Sequence, residues 1–101
     1  MNITFERIDP IPDLDIFCCP NCGYNYTHQK RVEVFARPED SDIGLHVTVS
    51  DKCVVDNDLS KNPSDRRHGL SIYFSCEKCN KESVLHIYQQ KGRTFFEVNV
   101  V

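Results

Sequence analysis

The sequence predicts a small, mostly-β fold, and three observations lead to this prediction. Apolar and polar residues alternate along several stretches, as they do on half-buried strands. Two Cys-x-x-Cys pairs, at positions 19–22 and 76–79, each lie next to such a stretch. No periodic pattern is long enough for a helix of more than one or two turns. We therefore expect a sheet whose strands flank two cysteine turns.

The length of 101 residues fits a single domain, spanning 1–101. A domain this small buries a limited core, so a metal ion that joins distant parts of the chain would stabilise it. The start of the chain has no apolar run typical of a secretory signal, and no run approaches transmembrane length. We therefore expect a cytoplasmic protein with reduced cysteines and no membrane partner.

The N-terminal residues 1–17 are predicted to form an extended arm. Ile3 and Phe5 alternate with polar neighbours, as in a short strand. Pro10 and Pro12 disfavour a helix and favour an extended segment leading into the first cysteine turn.

Two strands are predicted in the insert between the cysteine turns, at 31–37 and 43–50, joined by a polar turn at 38–42. In the first, Val32, Val34 and Ala36 share one side, and Glu33 and Phe35 share the other. The second strand alternates in the same way, with Leu45, Val47 and Val49 on one side.

A long polar loop is predicted at 56–69, a length that usually marks a functional or mobile segment. Within it, Asn62 followed by Pro63 fits the cap of a single helical turn. A strand at 70–75 then leads into the second cysteine turn. The chain ends in a predicted β-hairpin, 84–90 and 94–100, that turns across 91–93.

The two cysteine turns predict one zinc site on Cys19, Cys22, Cys76 and Cys79. Zinc prefers four ligands in a tetrahedron, and each turn supplies two sulfurs. Gly23 and Asn80 follow the second cysteine of each turn, where a positive φ is common, and Pro20 favours the first turn. Four thiolates leave no open position for water, so the predicted Zn²⁺, one per chain, is structural. Buried thiols without metal are the alternative.

The pattern Cys-Pro-Asn-Cys-Gly, followed by Cys-Glu-Lys-Cys and a hairpin, resembles the zinc-ribbon superfamily. Here 53 residues separate the two pairs, so the resemblance covers the cysteine turns and the strands beside them. It implies a structural four-cysteine zinc site. The segment 66–101 is also similar to small uncharacterised zinc-ribbon proteins of phages and other mobile elements. Zinc ribbons serve many processes, so the resemblance implies little about activity.

The remaining cysteines and histidines are predicted to have ordinary packing roles. Cys18 is adjacent to Cys19 and is expected to face away from the metal, as a small core residue. Cys53 precedes two valines and is interpreted in the same way. His28 lies close enough to Cys22 to replace a thiolate in principle, whereas His46 and His86 fit plain packing or surface positions.

The charge is uneven along the chain, and this suggests a partner. Residues 1–60 hold 5 Lys and Arg against 11 Asp and Glu, whereas residues 61–101 hold 7 against 4. The basic candidates for phosphate or partner contacts are Lys61, Arg66, Arg67, His68, Lys91 and Arg93. The alternative is a solvated loop, in which acidic neighbours cancel the charge, and a hairpin tip that only protects a strand edge.

These features predict a binding module and not an enzyme, because we find no nucleophile–base pair or phosphate-binding loop. The first hypothesis is contact with nucleic acid, or with a machine that acts on it, through the basic C-terminal half. The alternative is a protein-interaction or inhibitory accessory protein of a mobile element. No small-molecule substrate is evident from the sequence.

Overall fold

In the described residues, eight strands form two antiparallel sheets. The computed structural model describes residues 15–101 in full and residues 5–7 by their backbone. No helix occurs in these ranges. The strands are β1 (Phe5–Arg7), β2 (Asp15–Phe17), β3 (Thr27–Ala36), β4 (Leu45–Val49), β5 (Cys53–Asp56), β6 (Gly69–Cys76), β7 (Glu82–Gln90) and β8 (Arg93–Val100). The predicted mostly-β fold is confirmed.

The larger sheet consists of two three-stranded meanders. Its strand order is β5-β4-β3-β6-β7-β8, and β1 and β2 form a separate pair. We call β3–β5 the N-terminal meander and β6–β8 the C-terminal meander. They meet where β3 pairs with β6, and this pairing places Thr27 opposite Cys76. The first cysteine turn precedes β3 and the second follows β6, so this register brings the two turns to one end of the sheet.

The predicted C-terminal hairpin is present, with a two-residue turn. Lys91 and Gly92 form the turn with φ values of 53° and 75°. Two consecutive positive φ angles match the twist of the flanking strands in a tight hairpin. Arg93, which was expected in the turn, is instead the first residue of β8.

The apolar core lies on one side of the C-terminal meander. Phe74, Leu85 and Val98 are buried there, with Val98 fully inaccessible. Phe17 of β2 covers this cluster and packs on Phe74, with their ring centroids 4.6 Å apart. Each such buried side chain contributes roughly 1.5–3 kcal/mol, so this cluster is the main apolar contribution to stability.

The N-terminal meander buries the opposite side of its strands. Glu33, Phe35 and His46 have exposed fractions of only 6%, 1% and 8%. The valines and the leucine of the other side are exposed or half-buried. We call this side the open face, and its most exposed members are Val34 (40%), Leu45 (43%), Val49 (45%) and Val55 (58%). The alternation of these strands was predicted from sequence, but the buried side was not.

The polar loop between β5 and β6 is anchored to the sheet. Ser64 is buried, and its hydroxyl donates a hydrogen bond of 2.7 Å to the carbonyl of Gln89. The Asn62 side chain accepts a bond from the Ser64 N–H and donates one to the carbonyl of Arg67. Asn62 thus forms a side-chain turn, and the predicted helical turn at this position was wrong.

Other differences concern the ends of strands. β3 starts at Thr27, four residues before the predicted strand, with a bulge between Gln29 and Arg31. β5 was not predicted. The extended N-terminal arm was predicted for 1–17, and its residues 1–4 and 8–14 lie outside the described residues. In the described part, β1 and β2 pair, with Phe5 opposite Phe17. No helix among the described residues is long and apolar enough to cross a membrane.

Candidate metal centre

The first cysteine turn is closed by two backbone hydrogen bonds. The N–H of Cys19 donates to the carbonyl of Tyr24 at 2.8 Å, and the N–H of Gly23 donates to the carbonyl of Cys19 at 2.8 Å. Gly23 has a φ of 81°, a region that favours glycine. The sequence places a glycine where the turn requires a positive φ.

The second cysteine turn repeats the same pattern of hydrogen bonds. The N–H of Cys76 donates to the carbonyl of Lys81, and the N–H of Asn80 donates to the carbonyl of Cys76, both at 3.1 Å. Asn80 has a φ of 58°, and asparagine tolerates this conformation better than most residues. Two turns 57 positions apart therefore present their cysteines in the same way.

The four predicted cysteines form one cluster. The Sγ atoms of Cys19 and Cys79 lie 3.7 Å apart, and those of Cys22 and Cys76 lie 3.5 Å apart. All four sulfurs lie within 4.8 Å of one another. Sulfurs bound tetrahedrally at about 2.3 Å from zinc are separated by about 3.8 Å. The cluster has the dimensions of a four-thiolate metal site.

The cluster is partly buried. Cys19 and Cys76 have exposed fractions of 2%, Cys79 is half-buried and Cys22 is exposed. A metal ion held by all four cysteines would have no coordination position left for water. This geometry suits a structural ion that joins the start of β3 to the turn between β6 and β7.

Hydrogen bonds to sulfur shift the pKa values of cysteines in the cluster. The backbone N–H of Lys81 lowers the pKa of the Cys79 thiol to about 6, and the side-chain amide of Asn21 acts in the same direction from 3.5 Å. The N–H of Tyr24 also favours the thiolate of Cys22, but desolvation and the neighbouring sulfurs outweigh it and raise the pKa of Cys22 to about 11. Four sulfurs this close ionise together only when a cation balances them, so metal binding would release protons.

The other predicted candidates near the cysteines are not ligands. His28 Nε2 lies 2.9 Å from the Glu77 carboxylate on the surface, so its imidazole forms a hydrogen bond beside the cluster. Cys18 is buried, as expected, with its sulfur 3.7 Å from the carbonyl of Ile16. Cys53 was expected in the core and is exposed on β5, because β5 is an edge strand, so that prediction was wrong.

Three of the six predicted basic contacts are engaged within the protein. Arg66 binds the Asp40 carboxylate through two nitrogens, at 2.5 and 2.9 Å, and this lowers the pKa of Asp40. Arg67 pairs with Glu39 at 3.0 Å. The Nδ1 atom of His68 accepts a hydrogen bond from the backbone N–H of Arg37 at 2.9 Å. These residues tie the loop between β5 and β6 to the turn between β3 and β4.

The other three basic candidates are Lys61, Lys91 and Arg93. Within residues 15–101, no carboxylate lies within ion-pair distance of any of them. Lys91 and Arg93 line a cleft of about 430 Å³ at the hairpin tip, together with Phe95. The tip lies at the end of the C-terminal meander opposite to the cysteine cluster. It combines cationic and aromatic side chains, as the sequence predicted.

A buried polar cluster on the N-terminal meander was missed by the sequence interpretation. His46 bridges two carboxylates, with Nδ1 2.9 Å from Asp56 and Nε2 3.0 Å from Glu33. Burial lowers the pKa of His46, but its hydrogen bonds to Asp56 and Glu33 outweigh that effect and raise it. Phe35 stacks on the imidazole with ring centroids 4.5 Å apart. His46 was expected to be a plain packing or surface residue, and only its strand partners show its role.

A serine–histidine contact lies beside this cluster. The Ser71 hydroxyl is 2.7 Å from Nδ1 of His86, and burial lowers the pKa of His86. Ser71 has an exposed fraction of 1%, so no substrate reaches its hydroxyl. In the described residues, no buried side-chain nitrogen or oxygen lacks a hydrogen-bond partner. The polar residues of this side stabilise the sheet by satisfying one another.

Comparison with known proteins identifies no relative, so the interpretation of the site rests on the geometry of the cysteine cluster. No family model, curated protein or solved structure matches the chain. The zinc-ribbon resemblance therefore rests on the two cysteine turns and their common cluster. The structure establishes a small β protein with a four-cysteine site of metal-binding dimensions.

Proposed function

We propose that the protein is a non-catalytic protein-binding module whose fold is closed by one structural Zn²⁺. The sulfur geometry supports the metal, because four cysteines within 4.8 Å match a tetrahedral thiolate site. Thiolates select soft or borderline ions, and zinc adopts this geometry without redox change. The ion would connect residues that are 60 positions apart in the chain, Cys19 and Cys79. Such a link contributes directly to folding.

The open face is the observation that carries the binding function. Its side chains come from three adjacent strands, since Val34 pairs with Val47 and Val47 pairs with Val55. A groove of about 490 Å³ continues from it across Leu70 and Ile87. Contiguous apolar surface is unfavourable in water, and proteins generally retain it where a partner covers it.

The charges around the open face favour a protein partner over nucleic acid. Arg66 and Arg67 are engaged by Asp40 and Glu39, which removes most of the basic charge expected from the loop. The apolar residues of the open face offer no phosphate contacts. In the setting that the mobile-element resemblance implies, such a module would act as an accessory or inhibitory protein.

The interaction can be tested with substitutions that leave the fold intact. Val55→Glu places a charge on the open face at a position that is 58% exposed, so its effect on stability should stay within about 0.5 kcal/mol. Ile43→Glu is the matched control, because Ile43 is 76% exposed but lies in the turn before β4. A partner captured by the wild type and by Ile43→Glu, and lost with Val55→Glu, is the expected result. Equal capture by all three proteins would contradict the proposal.

Nucleic-acid binding is the second candidate, and the hairpin tip is the feature that favours it. Lys91 and Arg93 have no acidic partner in the described residues, and Phe95 lies beside them. Cations that hold phosphates and aromatic rings that stack on bases are the usual elements of single-strand binding. Fluorescence anisotropy with single-stranded oligonucleotides should then show binding that weakens as salt rises and is lost in Lys91→Glu. Binding that is insensitive to salt would contradict this candidate.

A further inference from the structure

Strand β8 has a free edge that is limited to five residues. Residues 93–97 are exposed, whereas Val98 is fully buried. Among the described residues β8 is the last strand of the sheet, and no other described strand pairs with the outer side of its backbone. An exposed edge of this kind is a template for pairing with another strand. Such pairing needs backbone groups that point outward from the edge.

The hydrogen-bond pattern of the hairpin shows which backbone groups of β8 point outward. The N–H of Val101 donates to the carbonyl of Glu82 at 2.8 Å, and Ser83 lies opposite Val100. Hydrogen-bonded pairs alternate with non-bonded pairs in an antiparallel ladder. Residues 93, 95 and 97 therefore direct their backbone groups to β7. Thr94 and Phe96 direct theirs away from the sheet.

The free edge also carries one charge of each sign. Arg93 and Glu97 lie on the same side of β8, four residues and about 13 Å apart, so they cannot pair with each other. Within residues 15–101, Glu97 is hydrogen-bonded to Tyr88 and Asn99, and no cation lies within ion-pair distance of it. The edge is therefore complementary to an antiparallel copy of itself.

We propose that two copies of the chain pair through β8, in an antiparallel register centred on Phe95. In this register Arg93 of each copy lies opposite Glu97 of the other, so two ion pairs form across the symmetry axis. Thr94 of one copy meets Phe96 of the other with their outward backbone groups aligned. Arg93 and Glu97 occupy non-bonded positions, where opposite side chains approach each other most closely.

The aromatic residues of the edge fit the same register. Phe95 lies opposite Phe95 of the second copy and already stacks on Tyr88, with ring centroids 5.6 Å apart. The pairing would continue this contact as a row of four rings across the axis. Aromatic cross-strand pairs stabilise antiparallel sheets. The two six-stranded sheets would form one continuous sheet.

Neighbouring registers are disfavoured by residues of the chain itself. A centre at Thr94 would recruit Lys91 and Gly92, whose positive φ values do not fit a strand. A centre at Phe96 would require an open edge at Val98, which is buried. A centre at Glu97 would place two glutamates opposite each other. The register centred on Phe95 uses only the five exposed residues.

The open face lies on β3–β5, at the other end of the sheet from β8, and only Thr94 of β8 also lines the groove that continues from it. The pairing therefore does not depend on the protein-binding function proposed above. A ladder of five residues buries less surface than a standard protein interface. The dimer should therefore depend on concentration. Sedimentation of the zinc-loaded full chain, from about 10 μM to about 1 mM, should show a monomer–dimer equilibrium in this range.

Charge reversal tests the register directly. Arg93→Glu and Glu97→Arg each place like charges opposite one another at two points, and each should weaken the dimer by about tenfold. The double variant Arg93→Glu/Glu97→Arg restores both ion pairs and should recover most of the affinity. Lys91→Glu is the matched control, because Lys91 lies in the turn and outside the ladder. It should leave the equilibrium unchanged.

A backbone substitution gives a second test. Thr94→Pro removes an outward N–H that β7 does not use, so the hairpin should persist while the dimer is lost. Bound zinc and circular dichroism report whether each variant is folded. A wild-type chain that stays monomeric at every concentration would overturn the proposal. A dimer in which the charge-reversed double variant is no better than the single variants would overturn it too.

Discussion

The two meanders use the same alternation of apolar and polar residues, but only the C-terminal meander has an apolar core on its apolar side. In the C-terminal meander, Phe74, Leu85 and Val98 face inward and are covered by Phe17. In the N-terminal meander, the corresponding apolar side is the open face, and the buried side carries Glu33 and His46. The strand pattern alone is therefore compatible with either outcome.

The covering segments explain the difference. β2 brings Phe17 onto the apolar side of β6, β7 and β8. The loop between β5 and β6 passes over the other side, where Asn62 and Pro63 lie against Gly69. Gly69 is opposite Phe35 in the register of the sheet, so this loop covers the side that contains Phe35. Whether one side of the sheet is buried therefore depends on which chain segment packs over it, and not on the alternation of residues along the strands.

The largest expected effect comes from removing a cysteine of the proposed zinc site. Cys76→Ser takes away a buried sulfur where the two meanders meet, so one corner of the tetrahedron is lost. The free energy of unfolding should fall by about 4 kcal/mol or more. Denaturant unfolding measures this change, and mass spectrometry of the native protein measures bound zinc.

The control for this substitution is Cys53→Ser. Cys53 is exposed on β5 and lies outside the cluster, so zinc content and stability should both remain close to wild type. A chelator should unfold the wild type and Cys53→Ser alike. A wild-type protein that contains no zinc and is unaffected by the chelator would contradict a structural metal.

The next effect tests the polar side of the N-terminal meander. His46→Ala removes the group that lies between the Glu33 and Asp56 carboxylates, and it leaves a buried carboxylate without its cation. Breaking a buried pair in this way should cost about 3 kcal/mol. His28→Ala is the control, because its contact with Glu77 is exposed, and it should cost far less. Equal costs for the two substitutions would show that His46 is only a packing residue.

The same residue should make stability depend on pH. Hydrogen bonds to Asp56 and Glu33 raise the pKa of His46 above the value of about 6.5 expected for an unfolded chain, with Thr48 and Asp58 as the other polar neighbours. Its contribution is fully present below that pH and is lost as pH rises through the folded-state pKa. The thiolates of the proposed zinc site would act in the opposite direction, because thiolates bind zinc better at higher pH.

The difference between wild type and His46→Ala isolates the histidine from these thiolates. Unfolding is measured from pH 6 to pH 9 at saturating zinc. The two proteins should differ most at the acidic end and converge as pH rises. A difference that is independent of pH would contradict a protonated His46.

A smaller effect is expected where the loop crosses the sheet. A Cβ atom on residue 69 would overlap Asn62 Oδ1 and lie 2.8 Å from Pro63 Cδ. Gly69→Ala should therefore force the loop away from the sheet and cost about 2 kcal/mol. Ser60→Ala, on the same loop, is the control. Gly23→Ala would not serve as one, because Gly23 has a positive φ. A Gly69→Ala protein as stable as wild type would show that the loop is not packed as described.

Local features of the fold could be predicted from the sequence. The cysteine turns depend on Gly23, Asn80 and a spacing of two residues, and the hairpin depends on Gly92, so each is specified by neighbours in the chain. The grouping of the four cysteines was also predicted, because zinc chemistry needs two such turns. These predictions concern short segments or known metal geometry.

The remaining features depend on contacts between distant segments. β5 has only four residues and exposes all of them, so no alternation marks it as a strand. The bridge at His46 requires residues from three strands in register. The sequence shows Arg66 as a cation beside Asp65. Its real partner, Asp40, is 26 positions away and becomes visible only in the fold.

The smallest expected effect comes from this last pair, which joins the loop between β5 and β6 to the turn between β3 and β4. Arg66 and Asp40 are about half exposed, at 49% and 53%, so solvent screens their attraction. Arg66→Ala should lower the unfolding midpoint less than Cys76→Ser, His46→Ala or Gly69→Ala does, and the deficit should disappear in high salt. Asp40→Asn should give the same deficit, and the double variant should be no worse than either single variant. Additive effects would mean that the two side chains act independently and that the loop is held by its other contacts.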